Sequence, residues 1–289
     1  MARPLRPQFP GAVYHINARG NDRQDIYYDE KDRIRFLKFL AQTVEQYRWL
    51  CHGYCLMTNH YHLLIETPEP NLARGMKRLN SRYCITFNKR HRRAGHVLQG
   101  RYDAVVVQKE EYLLELCRYI VLNPVRAYMV EKPDDWKWSS YLATAGRIKP
   151  LSFLTTDWVL AHFGKRRKTA CANYIKFVYD GIGKEGPWND IEGRIYLGDT
   201  QFIQEVEAWM DPDLVSREVP LVQRKASRPK LSELFDVATL TSKKKRNVRI
   251  VAAFQKHLYT QREIGEHLGL HPAYLSQIIG QLREKEGKP

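Results

Sequence analysis

The feature that most constrains this chain is a pair of histidines, His60 and His62, which lie within the apolar run of residues 56–65. A short apolar run predicts a β-strand, on which alternate side chains leave the same face of the sheet. Two neutral imidazoles on one face can hold a divalent metal ion if other ligands complete its coordination sphere. A hydrogen-bonded structural pair is the alternative interpretation.

A second group of candidate residues lies at the end of a predicted helix. Its buried face is formed by Leu113, Leu116, Cys117 and Ile120. Tyr119 lies at the edge of this face, and Asn123 follows one turn later, so its amide oxygen can serve as a metal ligand. Pro124 disfavours helical backbone at Asn123, and Glu115 is the substitute ligand if that geometry fails. The alternative is an ordinary helix tyrosine followed by an asparagine cap.

The order of these groups resembles the single-tyrosine HUH transposases, and among them the REP-associated tyrosine transposases of bacterial chromosomes. The matching blocks are Tyr14-His15-Ile16, Arg19-Gly20-Asn21, residues 57–65, Gln99-Gly100-Arg101-Tyr102, and the Tyr119 helix with its Asn-Pro-Val-Arg-Ala end. Together they cover residues 11–145, about half of the chain. The family more often has proline where this chain has Thr58, a difference that affects strand entry and not the predicted metal ligands.

This resemblance implies a metal-dependent DNA transposase that is both a nuclease and a strand transferase. His60, His62 and Asn123 would hold Mg²⁺ or Mn²⁺, and Tyr119 would attack phosphorus, leaving a 5′-phosphotyrosine and a free 3′-hydroxyl. The implied substrate is single-stranded DNA that folds into palindromic hairpins. Because one tyrosine holds one covalent end, complete excision and insertion needs two subunits or sequential cycles, which leaves a monomer or a homodimer open.

The apolar pattern predicts an α+β fold for the N-terminal half. Its order is β-α-β-β-α-β-α up to residue 122, which is the order of a ferredoxin-like split β-α-β sheet with one added helix. The two crossover helices cover one sheet face. The other face is expected to carry the His pair, with the Tyr119 helix alongside, and to form a groove for a single DNA strand.

The chain is predicted to contain four segments. These are a catalytic domain at 1–135, a helical accessory region at 136–211, a polar, proline-containing linker at 212–230 and a helix-turn-helix domain at 231–289. In the last segment, helices are predicted at 248–257, 260–268 and 272–282, with Thr260 as an N-cap and Pro272 as a first helical residue. Its predicted core comprises Ile264, Leu268, Leu270, Leu275, Ile278 and Ile279.

The helix-turn-helix segment resembles the C-terminal duplex-binding domain of bacterial replication initiators, and a three-helix packing module is the alternative. A net charge of +15 favours a polyanionic partner, for which nucleic acid is the first candidate. Side chains expected near DNA in the catalytic domain are Arg19, Asn21, Arg101 and Tyr102, the last of them stacking on an unpaired base. In the C-terminal domain they are Lys243, Lys244, Lys245, Arg246, Tyr274, Ser276 and Gln277, with contact to the duplex that flanks a hairpin.

Cysteine usage and hydropathy set the expected compartment. Five cysteines form an odd set without paired CxxC motifs, and no leader with an apolar core precedes Pro4, so a reduced cytoplasm is expected. No apolar run reaches the ~18 residues of a membrane span, so no membrane partner is expected. Two other functions remain open: a HUH replication initiator or relaxase, and a domesticated regulator that binds hairpins without cutting them.

Overall fold

A computed structural model of the protein describes residues 6–188, 191–192, 195–209, 228–255, 257 and 259–286. The chain divides into two compact units, one within residues 4–216 and one within residues 217–289. The predicted linker at 212–230 lies outside the described residues except for its last three positions. We call the larger unit the sheet unit and the smaller one the C-terminal unit.

The sheet unit begins with the predicted order of strands and helices. The elements are β1 (Ala12–Arg19), α1 (Glu30–Tyr47), β2 (Leu50–Leu56), β3 (His60–Thr67), α2 (Leu72–His91), β4 (Asp103–Val107) and α3 (Lys109–Val121). Their strands lie in the order β2-β3-β1-β4, and each neighbouring pair is antiparallel. This is the order of a ferredoxin-like split sheet, so the α+β prediction is confirmed.

Alternation along β3 assigns its side chains to the two faces of the sheet. Tyr61 is fully buried on the face covered by α1 and α2, where its ring lies 4.8 Å from that of Phe36. Its neighbours in sequence, His60 and His62, therefore point to the opposite face. On that face, apolar residues of the sheet such as Leu64 pack against Leu116 and other buried residues of α3. This packing brings α3 alongside the histidines.

The predicted accessory region is not wholly helical, which corrects that prediction. The helices after α3 are α4 (Asn123–Arg126), α5 (Tyr141–Thr144), α6 (Asp157–Ala161), α7 (Arg167–Tyr179) and α8 (Thr200–Ala208), and two short strands, β5 (Ile191–Glu192) and β6 (Tyr196–Leu197), precede α8. β6 pairs parallel with β4 and extends the sheet to β2-β3-β1-β4-β6-β5. The strands form because the edge of β4 offers backbone donors: the Val106 N–H donates to the Ile195 carbonyl at 2.7 Å.

The C-terminal unit is a small helical assembly. It contains α9 (Leu231–Leu234), α10 (Val237–Leu240), α11 (Lys243–Gln255), α12 (Gln261–Leu268) and α13 (Pro272–Glu286). The Thr260 hydroxyl caps α12 by accepting from the Glu263 N–H, and Gly269 ends it in the left-handed region at φ 65°. Of the predicted core, four residues are buried and two are partly buried against them: Ile264, Leu275, Ile278 and Ile279, with Leu268 and Leu270.

This unit differs from the sequence prediction in where its basic helix begins and in two additional short helices. The helix expected from Val248 begins at Lys243, so the basic run lies inside its first turn and not before it. The helices α9 and α10 were absent from the prediction, because four-residue helices show too little periodicity. In the described part of the whole chain, no helix is both long and apolar enough to cross a membrane.

Candidate functional site

The sheet places three histidines together where the sequence pattern indicated two. His60 and His62 share one face of β3, with ring centroids 5.0 Å apart. In the neighbouring strand β1, His15 Nε2 lies 3.0 Å from His62 Nδ1, and the two rings stack with centroids 5.2 Å apart. From the sequence, His15 was noted only as part of the Tyr14-His15-Ile16 block. Its contact with His62 was not predicted, because it depends on how β1 pairs with β3.

All three imidazoles are neutral near pH 7. Burial lowers the pKa of His15 to about 3. Burial, followed by the positive charge of Arg19, lowers the pKa of His60 to about 4. Burial also holds the pKa of His62 well below its ordinary value, with smaller contributions from His15, His60 and Arg19. The neutral ring is the form that binds metal ions.

The hydrogen bonds of the pair engage the Nδ1 atom of each ring. His60 Nδ1 lies 2.7 Å from Asn59 Oδ1, and His62 Nδ1 faces His15. Coordination through the Nε2 atoms would keep both of these contacts. The neutral charge and the occupied Nδ1 atoms therefore fit a divalent cation held by His60 and His62.

The third ligand stays a prediction. Asn123 Nδ2 donates to the carbonyls of Tyr119 and Ile120, at 3.2 and 3.3 Å, so the amide caps α3 as in the alternative interpretation. Glu115, the substitute ligand, pairs with Arg118 instead. Within the described residues, no group of three or more His, Cys, Asp or Glu side chains is arranged to hold a metal ion.

The structure brings Tyr119 next to His62 and His15. The Tyr119 ring stands edge-on to the rings of His62 and His15, with centroids 6.4 and 6.3 Å away. The guanidinium of Arg126 lies 4.6 Å from the centroid of the Tyr119 ring, and its Nη1 donates to the Tyr119 carbonyl at 3.0 Å. Arg126 was not among the predicted site residues, although it belongs to the Asn-Pro-Val-Arg-Ala block that follows the tyrosine.

Residues of the accessory region cover another side of Tyr119. The Trp188 ring lies 4.9 Å from the Tyr119 ring and 5.0 Å from the His15 ring. A Cβ atom built on Gly186 would stand 2.5 Å from the Tyr119 ring, so the glycine backbone itself packs on the phenol. We call residues 186–188 the cover segment. No spacing in the sequence links this segment to Tyr119, and it was not predicted.

The predicted DNA contacts of the sheet unit fall into two groups. Arg19 and Arg101 are exposed, and Arg19 lies directly across from His60 in the pairing of β1 with β3. Asn21 is half-buried and donates to the Asp22 carboxylate. Tyr102 does not fit its predicted stacking role. The residue is 6% exposed, and the Arg6 guanidinium lies 4.1 Å from its ring centroid. Arg6 therefore covers the ring face on which a base would stack.

The predicted contacts of the C-terminal unit are mostly accessible. Lys243, Lys244 and Lys245 are exposed in the first turn of α11, whereas Arg246 is half-buried. On α13, Ser276 and Gln277 are exposed, and Tyr274 packs partly against the apolar core. A role of these side chains at DNA stays a prediction.

Comparison with known proteins agrees with the motifs. Residues 9–123, which include His60, His62, Tyr119 and Asn123, match the family described as transposase IS200 like. A segment of 143 residues is 28% identical to a protein of Haemophilus influenzae named as a REP-associated tyrosine transposase, covering 45% of this chain and 80% of that protein. The solved structure of a REP-associated tyrosine transposase bound to a REP hairpin aligns with a TM-score of 0.44 and 16% identity, over 55% of this chain and 91% of that one. The resemblance of the N-terminal half to the REP-associated tyrosine transposases is confirmed.

Proposed function

We propose that this chain, whose residues 9–123 match the IS200-like transposase family, cuts and rejoins single-stranded DNA at hairpin sites through Tyr119. The observation that carries the proposal is the approach of the Tyr119 ring to within 6.4 Å of the neutral His62 ring. A phosphate lying between the phenol and the His pair would be within reach of both. Proximity of this kind supplies much of the rate in enzyme-bound reactions.

The proposed reaction is a transesterification at phosphorus. The phenol oxygen of Tyr119 forms a bond to phosphorus while the bond from phosphorus to the 3′ oxygen breaks. The phenol loses its proton and the departing 3′ oxygen gains one, so the products are a 5′-phosphotyrosine and a 3′-hydroxyl. Attack of a 3′-hydroxyl on the phosphotyrosine reverses these steps and rejoins DNA without a nucleotide cofactor.

The neighbouring residues have distinct proposed roles. His60 and His62 would hold Mg²⁺ or Mn²⁺ through their Nε2 atoms, with Asn123 as the proposed third ligand. When bound, the cation would withdraw charge from the scissile phosphate. Arg126 adds positive charge beside the Tyr119 ring. Arg19, exposed beside His60, would contact a neighbouring phosphate of the strand.

We propose hairpins as the substrate and flanking duplex as a second partner. The REP association in the name of the Haemophilus influenzae relative supports palindromic hairpins. The C-terminal unit carries the exposed lysines of α11 and the exposed face of α13, which supports contact with duplex phosphates and base edges. The chemistry is compatible with a monomer that acts in sequential cycles or with a homodimer.

Formation of a covalent adduct tests the proposed nucleophile. A labelled hairpin oligonucleotide incubated with Mn²⁺ should yield a protein–DNA adduct that survives denaturing electrophoresis. Tyr119→Phe removes the attacking oxygen and should lower the adduct by at least about 10³-fold, as expected for loss of a nucleophile. Tyr112→Phe, the same change on the same helix, is the matched control and should react as the wild type does. An adduct of undiminished yield with Tyr119→Phe would place the nucleophile elsewhere.

A regulator that binds hairpins without cutting them is a second candidate function. One observation favours it: the cover segment packs on Tyr119 through Gly186 and Trp188. Under this alternative, the wild type and Trp188→Ala would both bind hairpins, and neither would form an adduct with Mg²⁺ or Mn²⁺. Adduct formation by the wild type would exclude it.

A further inference from the structure

The amide of Asn59 is fixed in one orientation by its two hydrogen bonds. Its Nδ2 donates to the Arg23 carbonyl at 2.9 Å, and its Oδ1 lies 2.7 Å from His60 Nδ1. A backbone carbonyl can only accept, so the arm of the amide that faces Arg23 must be the nitrogen. The arm that faces His60 is therefore the oxygen.

This orientation determines where the proton of His60 lies. An amide oxygen can only accept, so His60 Nδ1 must be the donor and must carry a hydrogen. A neutral imidazole holds one ring proton, so His60 Nε2 keeps its lone pair. Asn59 thus prepares this histidine for metal coordination through Nε2 in the absence of any metal.

The contact behind His62 differs, because its partner can either donate or accept. Its Nδ1 faces His15 Nε2 at 3.0 Å, and one proton is shared between the two neutral rings. If His15 donates, the proton of His62 lies on Nε2 and occupies the position a metal would need. If His62 donates, its Nε2 is free. Among the described residues, His15 Nδ1 is buried without a hydrogen-bond partner, so no further group selects between the two arrangements.

We propose that Asn59 and His15 are positioning residues that set the ring protons of the His pair for metal binding. Asn59 fixes His60 in advance, whereas metal binding leaves His62 as the donor and His15 as the acceptor. Where His15 is the donor before the metal binds, the protons of His62 and His15 each move from Nε2 to Nδ1, and none is released. The inference rests on the proposed function in one respect, that the pair holds a divalent cation. Groups hydrogen-bonded behind metal-binding histidines commonly set the ring proton in this way.

Metal affinity measured without DNA tests the two residues. Mn²⁺ is titrated into the full chain, and the free ion is followed by electron paramagnetic resonance. Asn59→Ala and His15→Phe should each weaken Mn²⁺ binding by about 10- to 100-fold. Asn59→Asp and His15→Gln keep an acceptor and should recover most of this affinity. Asn80→Ala is the matched control, since Asn80 accepts from the Tyr61 hydroxyl on the opposite face of β3 and should leave affinity unchanged.

Nitrogen NMR of the wild-type rings tests the same inference without a variant. In the metal-free chain, His60 should show a protonated Nδ1 and an unprotonated Nε2. Addition of Mg²⁺ should leave His62 protonated only on Nδ1. A proton on His60 Nε2, or wild-type Mn²⁺ affinity in both Asn59→Ala and His15→Phe, overturns the inference and leaves the proposed function standing. A wild-type chain that binds no Mn²⁺ overturns the inference together with the metal part of that function.

Discussion

The two compact units hold their candidate functional residues in opposite ways. In the sheet unit, His15, His62 and Tyr119 are buried or half-buried, and each contacts other members of the site. In the C-terminal unit, the lysines of α11 and the polar residues of α13 are mostly exposed. Covalent chemistry needs atoms in a fixed geometry, whereas phosphate binding depends chiefly on accessible charge. Single substitutions should therefore be severe in the first unit and graded in the second.

The largest expected effect comes from the His pair. His60→Ala and His62→Ala should each lower hairpin cleavage by at least about 10³-fold, because a catalytic cation would lose a ligand. Hairpin binding should remain close to that of the wild type in a gel-shift assay. His162→Ala, a change outside the His cluster, serves as the control. Parallel loss of binding and cleavage would make the pair structural and would weaken the contrast between the units.

Removal of the C-terminal unit should have an intermediate effect. Deleting residues 231–289 should weaken binding to hairpins with duplex flanks. A plot of the logarithm of affinity against the logarithm of salt concentration should also become less steep. Each lost phosphate contact reduces this slope by about 0.9. Cleavage of a minimal single-stranded substrate at saturating DNA should survive. A folded, truncated chain that no longer cleaves would show that the C-terminal unit takes part in the chemistry.

A third expected effect is a difference in acid stability between the units. The folded pKa values of His15 and His60, about 3 and 4, lie below the ordinary value of 6.5. The unfolded chain then binds more protons, so stability falls as pH decreases from about 6.5 towards those values, by up to about 1.4 kcal/mol per pH unit for each histidine. In the C-terminal unit, burial opposes the shift, but hydrogen bonds from Arg228 and Thr260 lower the pKa of Glu263 to about 2. This stabilisation is present above about 4.5 and is lost as pH falls through about 2.

Tryptophan fluorescence separates the two responses, because all six tryptophans lie in the sheet unit, at positions 49, 136, 138, 158, 188 and 209. Urea unfolding followed by fluorescence between pH 7 and 5 should show declining stability. Unfolding of residues 228–289 alone, followed by circular dichroism, should show little change in this interval. An equal pH dependence of stability in both experiments would show that the buried histidines of the sheet unit are not the cause of the decline.

The sequence predicted features that depend on local pattern. The order of strands and helices up to residue 122 was predicted, and the alternation in β3 placed His60 and His62 on one face. Features that depend on the register between strands could not be predicted from the sequence, and the contact of His15 with His62 is one of them. The contact of Tyr102 with Arg6 was also missed, because the two residues lie far apart in sequence. Strands of two residues, such as β6, are too short for any periodic signal.

The pairing of β6 with β4 bears on how this protein can be shortened. The family match ends at residue 123, which makes that position a natural place to truncate. A chain cut there would lose the carbonyls of Ile195 and Leu197, which accept from the Val106 and Gln108 N–H groups. The freed edge of β4 would then be a template on which copies of the fragment could self-associate. A fragment that keeps this edge paired should therefore extend through α8, to residue 209.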